Sequence, residues 1–450
     1  MKPSAAAAAT TDACSLCAPL GACLAFRGVE GAVPFLHGSQ GCGTYIRRYV
    51  IGHFHEPMDV ASSSFSEAGA VFGGGSHLKA GLGNVRSKYA PALIGVATTC
   101  LSETIGDNVP MLLNEYRRDS SGAELPEILH VSTPSYSGTH SEGFHAAVRA
   151  LVASLAEPGE PTERLGLLPG MVSPADLRYL KEVLSDFGLE ATVLPDYSRT
   201  LDGPALAEYP RIPEGGTPLA AIRALGSARA TLEFGRALAR TGSAGSYLSD
   251  ARGVPCHRLG TPLGVGETDR FFELLEALSG RGTPAQHQDE RGRLVDAYVD
   301  GHKYLSGLRA VVYGEEDLVA GLCAFLSEVG VRPVLAASGG RGGRLAEAVR
   351  RAAVSLDEQP EVLEDADFDA VGRRAEMLGP DLLIGSSKGY ALSRRLGIPL
   401  VRVGFPIHDR LGAQRILHVG YRGAQQLFDR VVNTVLERRQ SSSPVGYSYM

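Results

Sequence analysis

The sequence predicts an α/β protein with three domains, each a mainly parallel sheet flanked by helices. Apolar runs of strand length alternate with helix-length segments, and strand–helix–strand units of this spacing form right-handed crossovers between parallel strands. At 450 residues the chain also exceeds what one hydrophobic core supports. We therefore expect three domains, covering residues 1–157, 158–300 and 301–450.

The first predicted domain alternates short strands with helices. Its expected elements are a helical turn at 19–28, a strand at 32–36, a helix at 43–54, a strand at 92–97, a helix from Ser102 to about Arg118, a strand at 128–132 and a helix at 140–155. The glycine-rich segment FGGGSHLKAG at 72–81 lacks the context of a dinucleotide fingerprint, so it predicts a packed turn. Ser64 and Glu67 predict a capping box.

The second and third domains repeat the unit. A linker, EPGEPTE at 157–163, leads to a helix that begins at Ser173-Pro174 and is stopped by Gly188. The second break is expected in residues 281–293 or in the helix after them. The other expected elements are strands at 164–170, 190–196, 308–314, 331–338, 381–385 and 398–404, and helices at 315–329, 388–396 and 424–439.

The composition of the chain excludes several classes of protein. The chain is 44% hydrophobic and 21% charged, which is typical of a soluble globular protein. A net charge of −6 gives no general attraction for nucleic acid or anionic membranes. No apolar run approaches the roughly 18 residues of a membrane span, and residues 1–14 form no convincing signal peptide. The expected location is the cytoplasm.

The cysteines are unevenly distributed. Five of the seven lie within the first 100 residues, and an odd number at this density favours free thiols or metal ligands over a disulfide framework. Cys14, Cys23, Cys256 and Cys323 are expected to be structural or incidental. The other three, Cys17, Cys42 and Cys100, lie in turns rich in Gly, Pro, Ser or Thr.

The positions of these turns predict a shared site. Cys42, Cys100 and Ser135 each follow a predicted strand, and open parallel sheets bind ligands beyond the carboxyl ends of their strands. Cys17 precedes the first helix and can reach the same edge. Thiolates are the usual protein ligands of iron–sulfur clusters, and glycine-rich turns direct N–H groups towards sulfur. The wide separation of the four residues excludes a zinc knuckle or a compact ferredoxin motif.

Two interpretations of these residues remain open. Three thiols are one short of a four-thiolate set, which favours either a cluster shared with a second subunit or an oxygen ligand from Ser135. The alternative is a cluster-free binding protein whose cysteines are ordinary buried thiols. Four histidines close to the site in sequence are candidates for tuning a metal centre: His37, His53, His55 and His140. Because no GxxxxGK[ST] motif is present, we do not expect the chain to hydrolyse nucleotide.

Several longer motifs indicate a family. They include CAPLG, LHGSQGC, EAGAVFGGGSHLKAGLGN, TTCLSETIGDN, TPSYSGTH, PDYSRTLDG and GFPIHDRLGAQRILHVGYRGAQQL. With these motifs the chain resembles the β-type subunit of nitrogenase component 1 and its relatives over nearly its whole length. The resemblance implies three Rossmann-like domains and an oxidoreductase complex.

The resemblance also implies a cofactor and partners. Catalytic β subunits of this family share an eight-iron, 8Fe-7S P-cluster with the α subunit of an α2β2 tetramer, and an ATP-dependent iron protein supplies electrons. Cys17, Cys42 and Cys100 match the three thiolate positions, and Ser135 matches the serine that can ligate the oxidised cluster. Tyr45 matches a position between the P-cluster and the catalytic cofactor. That cofactor belongs to the α subunit, so no catalytic residue is expected in this chain.

The resemblance leaves several family members open. Retention of three cysteines and Ser135 favours a catalytic subunit over the scaffold β subunit of cofactor assembly, whose smaller 4Fe-4S cluster draws its other ligands from the α partner. The molybdenum nitrogenase β subunit usually has a long N-terminal extension, whereas Cys17 lies near the start here. We therefore expect a nitrogenase-like reductase, most similar to methylthio-alkane reductase, which cleaves carbon–sulfur bonds. The scaffold and a dinitrogen-reducing subunit are the alternatives.

Overall fold

The fold contains three separate parallel sheets, as the sequence predicts. The computed structural model describes residues 13–445 apart from 123, 239–241, 355 and 357. Throughout this described part, every pairing between named strands is parallel. No helix of the described residues is both long enough and apolar enough to cross a membrane.

The first sheet has four strands in the order β2-β1-β3-β4. The strand order reverses between β1 and β3, which is where ligands bind in open α/β sheets. The strands are β1 (Ala32–His37), β2 (Ala61–Ser62), β3 (Leu93–Thr98) and β4 (Glu127–Val131). The helices are α1 (Ala18–Arg27), α2 (Gln40–Phe54), α3 (Glu67–Phe72), α4 (Gly75–Tyr89), α5 (Cys100–Thr104), α6 (Val109–Asp119) and α7 (His140–Leu155).

The second sheet repeats this arrangement, in the order β6-β5-β7-β8. Its strands are β5 (Leu165–Leu168), β6 (Ala191–Val193), β7 (Ala230–Phe234) and β8 (Cys256–Leu259). Its helices are α8 (Pro174–Asp186), α9 (Leu219–Ala224), α10 (Ala244–Arg252), α11 (Gly264–Ser279) and α12 (Ala285–Leu305). Ser173 caps α8 by accepting a hydrogen bond from the backbone of Asp176, as predicted.

The third sheet has five strands in the order β11-β10-β9-β12-β13. They are β9 (Arg309–Gly314), β10 (Arg332–Ser338), β11 (Glu361–Leu363), β12 (Leu382–Gly385) and β13 (Leu400–Arg402). The helices are α13 (Glu316–Glu328), α14 (Leu345–Ala352), α15 (Phe368–Leu378), α16 (Tyr390–Leu396) and α17 (Gly420–Ser442). Short 3₁₀ turns lie at Leu225–Ser227, Ser387–Gly389 and Ala413–Arg415.

Three local predictions in the first domain are wrong. The glycine-rich segment does not stay a turn, because helix α4 begins within it at Gly75. Ser66, and not Ser64, caps α3 by accepting a hydrogen bond from the backbone of Gly69. The helix expected from Ser102 to Arg118 is two helices, α5 and α6, and Ser102 closes a capping box with Thr99 instead of starting a helix.

The predicted boundary at residue 300 falls inside helix α12. This helix packs along α17, and Gly301 makes the contact possible, since a Cβ atom there would lie 2.4 Å from the ring of Phe428. Helices α12 and α17 join the second and third sheets. The boundaries at 157 and 300 stay predictions.

Helices α1 and α7 are packed unusually closely, and this contact sets the position of the first helix. A Cβ atom on Gly21 would lie 1.7 Å from the carbonyl oxygen of His140, and one on Gly143 would lie 2.0 Å from that of Ala18. Only glycine fits at either position. The start of α1 is thereby fixed against the start of α7.

Candidate functional site

Four predicted site residues meet at one cavity of about 780 Å³ at the edge of the first sheet. Cys17, Cys42, Cys100 and Ser135 all line it, and we call it the cysteine cavity. It lies beyond the carboxyl ends of β1, β3 and β4, at the switch in strand order. The placement agrees with the rule for ligand binding in open parallel sheets.

Two of the thiols are brought together by a close approach of neighbouring turns. Gly38 follows β1, and a Cβ atom there would lie 2.0 Å from Oγ1 of Thr99, which follows β3. The hydroxyl of Thr99 donates to the carbonyl oxygen of His37 at 3.2 Å. The contact therefore holds the starts of α2 and α5 at the same edge. Cys42 lies in the first turn of α2, and Cys100 is the first residue of α5.

Ser135 connects the remaining elements. Its backbone N–H donates to Sγ of Cys100 at 3.2 Å, and its hydroxyl accepts from the backbone N–H of Ala18 at 3.3 Å. Thr133 fixes the turn, because its backbone N–H donates to Oγ1 of Thr98 at 2.9 Å. Ser135 thus touches the groups that carry Cys100 and Cys17.

Cys17 is placed by the start of α7. Cys17 pairs with Thr139 in an isolated antiparallel bridge, and His140 donates its backbone N–H to the carbonyl of Leu16 at 2.9 Å. Nδ1 of His140 in turn accepts from the N–H of Leu16 at 3.2 Å. Burial lowers the pKa of His140 to about 4, so the ring is neutral and remains an acceptor.

Solvent exposure separates the cavity thiols from three of the other four. Cys17 is exposed and Cys42 and Cys100 are half-buried, whereas Cys14, Cys23 and Cys323 are buried. Burial raises the pKa of Cys323 to about 12, which disfavours its thiolate. Cys256 is half-buried, and burial raises its pKa to about 11. These contrasts agree with a structural role for the thiols outside the cavity.

The donor set fits a multi-atom cluster better than a single ion. Within the described ranges, no three His, Cys, Asp or Glu side chains are close enough together to hold one metal ion. The thiols are instead spread around the wall of the cysteine cavity, and a backbone N–H already points at one sulfur. This arrangement suits thiolate ligation of an iron–sulfur cluster.

Comparison with known proteins agrees with this chemistry. Residues 17–436 match the family described as nitrogenase component 1 type oxidoreductase. The chain belongs to this family. It is therefore a subunit of an oxidoreductase complex, as predicted.

The similar proteins are β chains. The chain is 36% identical to a nitrogenase molybdenum-iron protein beta chain of Clostridium pasteurianum, over 94% of its own length and 92% of the relative's. A nitrogenase vanadium-iron protein beta chain of Trichormus variabilis is 35% identical over 93% of this chain and 92% of that one. The solved structure "Nitrogenase Cp1 at pH 6.5" superimposes with a TM-score of 0.94 at 34% identity and covers 100% of this chain and 98% of the other. The β-type assignment and the fold class are confirmed.

The predicted cofactor class is confirmed for the family. Beta chains of nitrogenase component 1 carry an iron–sulfur cluster, the P-cluster, in the interface that they share with the alpha chain.

The predicted histidines do not line the cysteine cavity. His37 is buried and contacts Ser63 at 3.2 Å and Asp107 at 3.0 Å, which ties two loops behind β1. His53 accepts from the backbone of Ile407, and His55 ends α2 with a φ of 56°. These contacts are structural. Tyr45, in contrast, does line the cavity and is 64% exposed.

The third sheet contributes residues that the sequence does not indicate. Turns after β10, β11 and β12 bring Arg341, Asp365 and Lys388 to the wall of the cysteine cavity. Arg341 pairs with Asp365 at 2.7 Å and also donates to the carbonyl of Tyr136. No cysteine marks these turns, so only the packing of the third sheet against the first reveals them.

Proposed function

We propose that this chain is the β-type subunit of a nitrogenase-like reductase and that its role is electron relay. The four residues that define the cysteine cavity would be its ligands to an 8Fe-7S, P-cluster-type centre. The observation that supports this proposal is their convergence on one cavity while the other cysteines lie elsewhere.

The residues of this chain would have different roles at the cluster. Cys17, Cys42 and Cys100 would bind iron as thiolates. The N–H of Ser135 donates to the Cys100 sulfur and stabilises negative charge there. The Ser135 hydroxyl would be a fourth, oxygen ligand in an oxidised state. When bound, the cluster supplies one-electron chemistry.

A second subunit would complete the site. Three thiols are too few for a cluster of this size, and Cys17 is exposed at the cavity. Tyr45 and Tyr136 are 64% and 56% exposed beside it, which fits a face that a partner covers. We propose a homologous α subunit in an α2β2 tetramer, with an ATP-dependent iron protein as electron donor.

For the reaction, we propose reductive cleavage of carbon–sulfur bonds in methylthio-alkanes. The support is that the β subunit of methylthio-alkane reductase resembles scaffold-type β chains outside its cluster ligands. This chain has the same combination: the segment GFPIHDRLGAQRILHVGYRG at residues 404–423 resembles the scaffold type, and the cysteine cavity retains three thiols. Substrate and catalytic cofactor would lie on the α subunit.

Dinitrogen reduction is the second candidate. It is supported by relatives that are named as molybdenum-iron and vanadium-iron nitrogenase beta chains and match more than nine-tenths of this chain. The Clostridium chain matches over 92% of its own length, so the short stretch before Cys17 does not by itself argue against dinitrogen.

The test is co-expression with the α partner. The purified complex is analysed for iron and assayed with iron protein and ATP on a methylthio-alkane, dinitrogen and acetylene. We expect about eight irons per interface and thiol release from the methylthio-alkane.

Other results would redirect or reject the proposal. About four irons per interface without reduction of any substrate would favour the assembly scaffold. Dinitrogen reduction without thiol release would replace the proposed substrate. An iron-free complex would reject the cluster and leave a small-molecule binding protein.

A further inference from the structure

A second pocket, of about 110 Å³, lies at the opposite end of helix α1 from the cysteine cavity. Its floor includes Arg27, the last residue of α1, which is only 4% exposed. Its wall is formed by the segment 199–214, which contains part of the PDYSRTLDG motif. The proposed electron relay does not use this motif.

The wall belongs to an unusually long connection. Residues 194–218, between β6 and α9, contain no helix or strand. Hydrogen bonds hold this loop on the first domain: Thr200 Oγ1 donates to the carbonyl of Arg27 at 2.9 Å, and the N–H of Gly203 donates to Glu56 at 3.0 Å. Irregular loops of this length inside compact domains are uncommon and are usually either functional or linker segments, and this one is held in place by hydrogen bonds.

The buried guanidinium of Arg27 is not matched by an acid. In the described part of the chain Arg27 forms no ion pair within 4 Å. One nitrogen, Nη2, donates to the carbonyl of Pro57 at 2.9 Å, while Nε is buried without a partner. Buried charges in proteins are normally paired, because an unpaired one forfeits its hydration.

The acidic groups on the pocket wall are already engaged. Glu214 pairs with Arg199 at 2.8 Å, and Asp59 accepts from the hydroxyl of Tyr89 at 3.0 Å. Burial lowers the pKa of Arg27 to about 10 although Asp59 and Glu56 oppose the change, so the side chain stays cationic at neutral pH.

We propose that this pocket binds a small carboxylate or phosphate anion, with Arg27 as its principal ligand. A guanidinium presents donors in a planar fork that suits both groups. Arg211, whose hydrogen bond goes to the carbonyl of Lys88, adds positive charge at the rim. Arg199 is balanced by Glu214. The volume accommodates a group of a few heavy atoms, because one water needs only about 10–15 Å³ by the same measure.

The experiment uses the α–β complex with inorganic phosphate and, separately, succinate as probes, against chloride at constant ionic strength. Thermal unfolding and calorimetry follow binding. Wild type should bind at least one probe saturably, and Arg27→Met should weaken that affinity at least tenfold. Arg229→Gln is the matched control, since Arg229 pairs with Glu163 on the surface of the second domain.

The outcomes are distinguishable. Phosphate binding alone, or succinate binding alone, identifies the preferred anion. If Arg27→Met folds poorly, Arg211→Gln serves as a second variant and should weaken binding severalfold. Absence of saturable binding by wild type, or equal binding by Arg27→Met, would overturn the proposal. Iron content enters none of these measurements, so the result is independent of the proposed cluster.

Discussion

The backbone N–H of Ser135 points at the thiol of Cys100, 3.2 Å from its sulfur. The same serine accepts a hydrogen bond from the N–H of Ala18, directly after Cys17. One residue therefore links two thiols that lie far apart in the sequence. Because hydrogen bonds to sulfur stabilise the thiolate, this link bears on both the geometry and the charge of the site.

Ser135→Ala removes the hydroxyl and keeps the N–H bond to Cys100. We expect the complex to retain iron, to lose about 0.5–1.5 kcal/mol of stability from the broken bond to Ala18, and to change the electron paramagnetic resonance of its oxidised state. Ser137→Ala is the control, since Ser137 donates to Pro134 in the same turn outside the cavity lining. An unchanged oxidised spectrum would show that the hydroxyl is not a ligand.

Cys42→Ala removes the thiol that follows β1. We expect loss of most interface iron and a weaker α–β contact, because no other thiol of the described chain lies in that turn. Iron analysis and size-exclusion chromatography measure both effects. Cys256→Ala, on β8 and outside the cavity, should retain full iron. Wild-type iron content and spectra in Cys42→Ala would contradict the ligand assignment.

The sequence pattern was sufficient to predict the fold class and the edge where the thiols gather. The periodicity of strands and helices and the glycines that end helices are local features of the sequence. They can therefore be recognised without knowledge of the tertiary contacts. Gly188 and Gly330, for example, both adopt the positive φ angles expected of helix-ending glycines. The rule for carboxyl ends then places Cys42 and Cys100 together.

Features decided by tertiary contacts could not be predicted. Strand β7 does not follow the apolar pattern of a buried strand, because Glu233 lies in its interior. Glu233 is 2% exposed and pairs with Arg258 at 2.7 Å. Helix α4 begins among glycines because Gly74 must approach the ring of Phe65, where a Cβ atom would lie 2.1 Å away. In both cases a distant partner compensates for a locally unfavourable residue.

Gly143→Ala tests the close packing of α1 on α7. The added Cβ would lie 2.0 Å from the carbonyl of Ala18, so the helices must separate, at a cost of about 1–3 kcal/mol. Displacement of α1 should also lower iron content, because Cys17 immediately precedes this helix at its N-cap position. Gly83→Ala in α4 is the control: nothing lies within 4 Å, and it should stabilise by up to about 1 kcal/mol. Equal thermal midpoints for the two variants would contradict the close approach.

The buried position of His53 predicts that the folded protein loses stability in acid. It is 4% exposed, and its Nδ1 accepts from the N–H of Ile407 at 2.9 Å, which requires a neutral nitrogen. Burial lowers its pKa to about 3, with neighbouring histidines as lesser causes. The unfolded chain binds this proton near pH 6.5, so the stabilisation is complete above that pH and is lost as the pH falls towards 3. The expected slope is at most about 1.4 kcal/mol per pH unit.

A matched pair of variants isolates this group from other acid-sensitive residues. His53→Gln keeps a hydrogen-bond acceptor but cannot titrate, so its thermal midpoint should fall less steeply than that of wild type between pH 6.5 and 4.5. His302→Gln replaces an exposed histidine and should leave the wild-type slope intact. If His53→Gln and wild type lose stability in parallel, the neutral, buried state of His53 does not contribute to acid sensitivity.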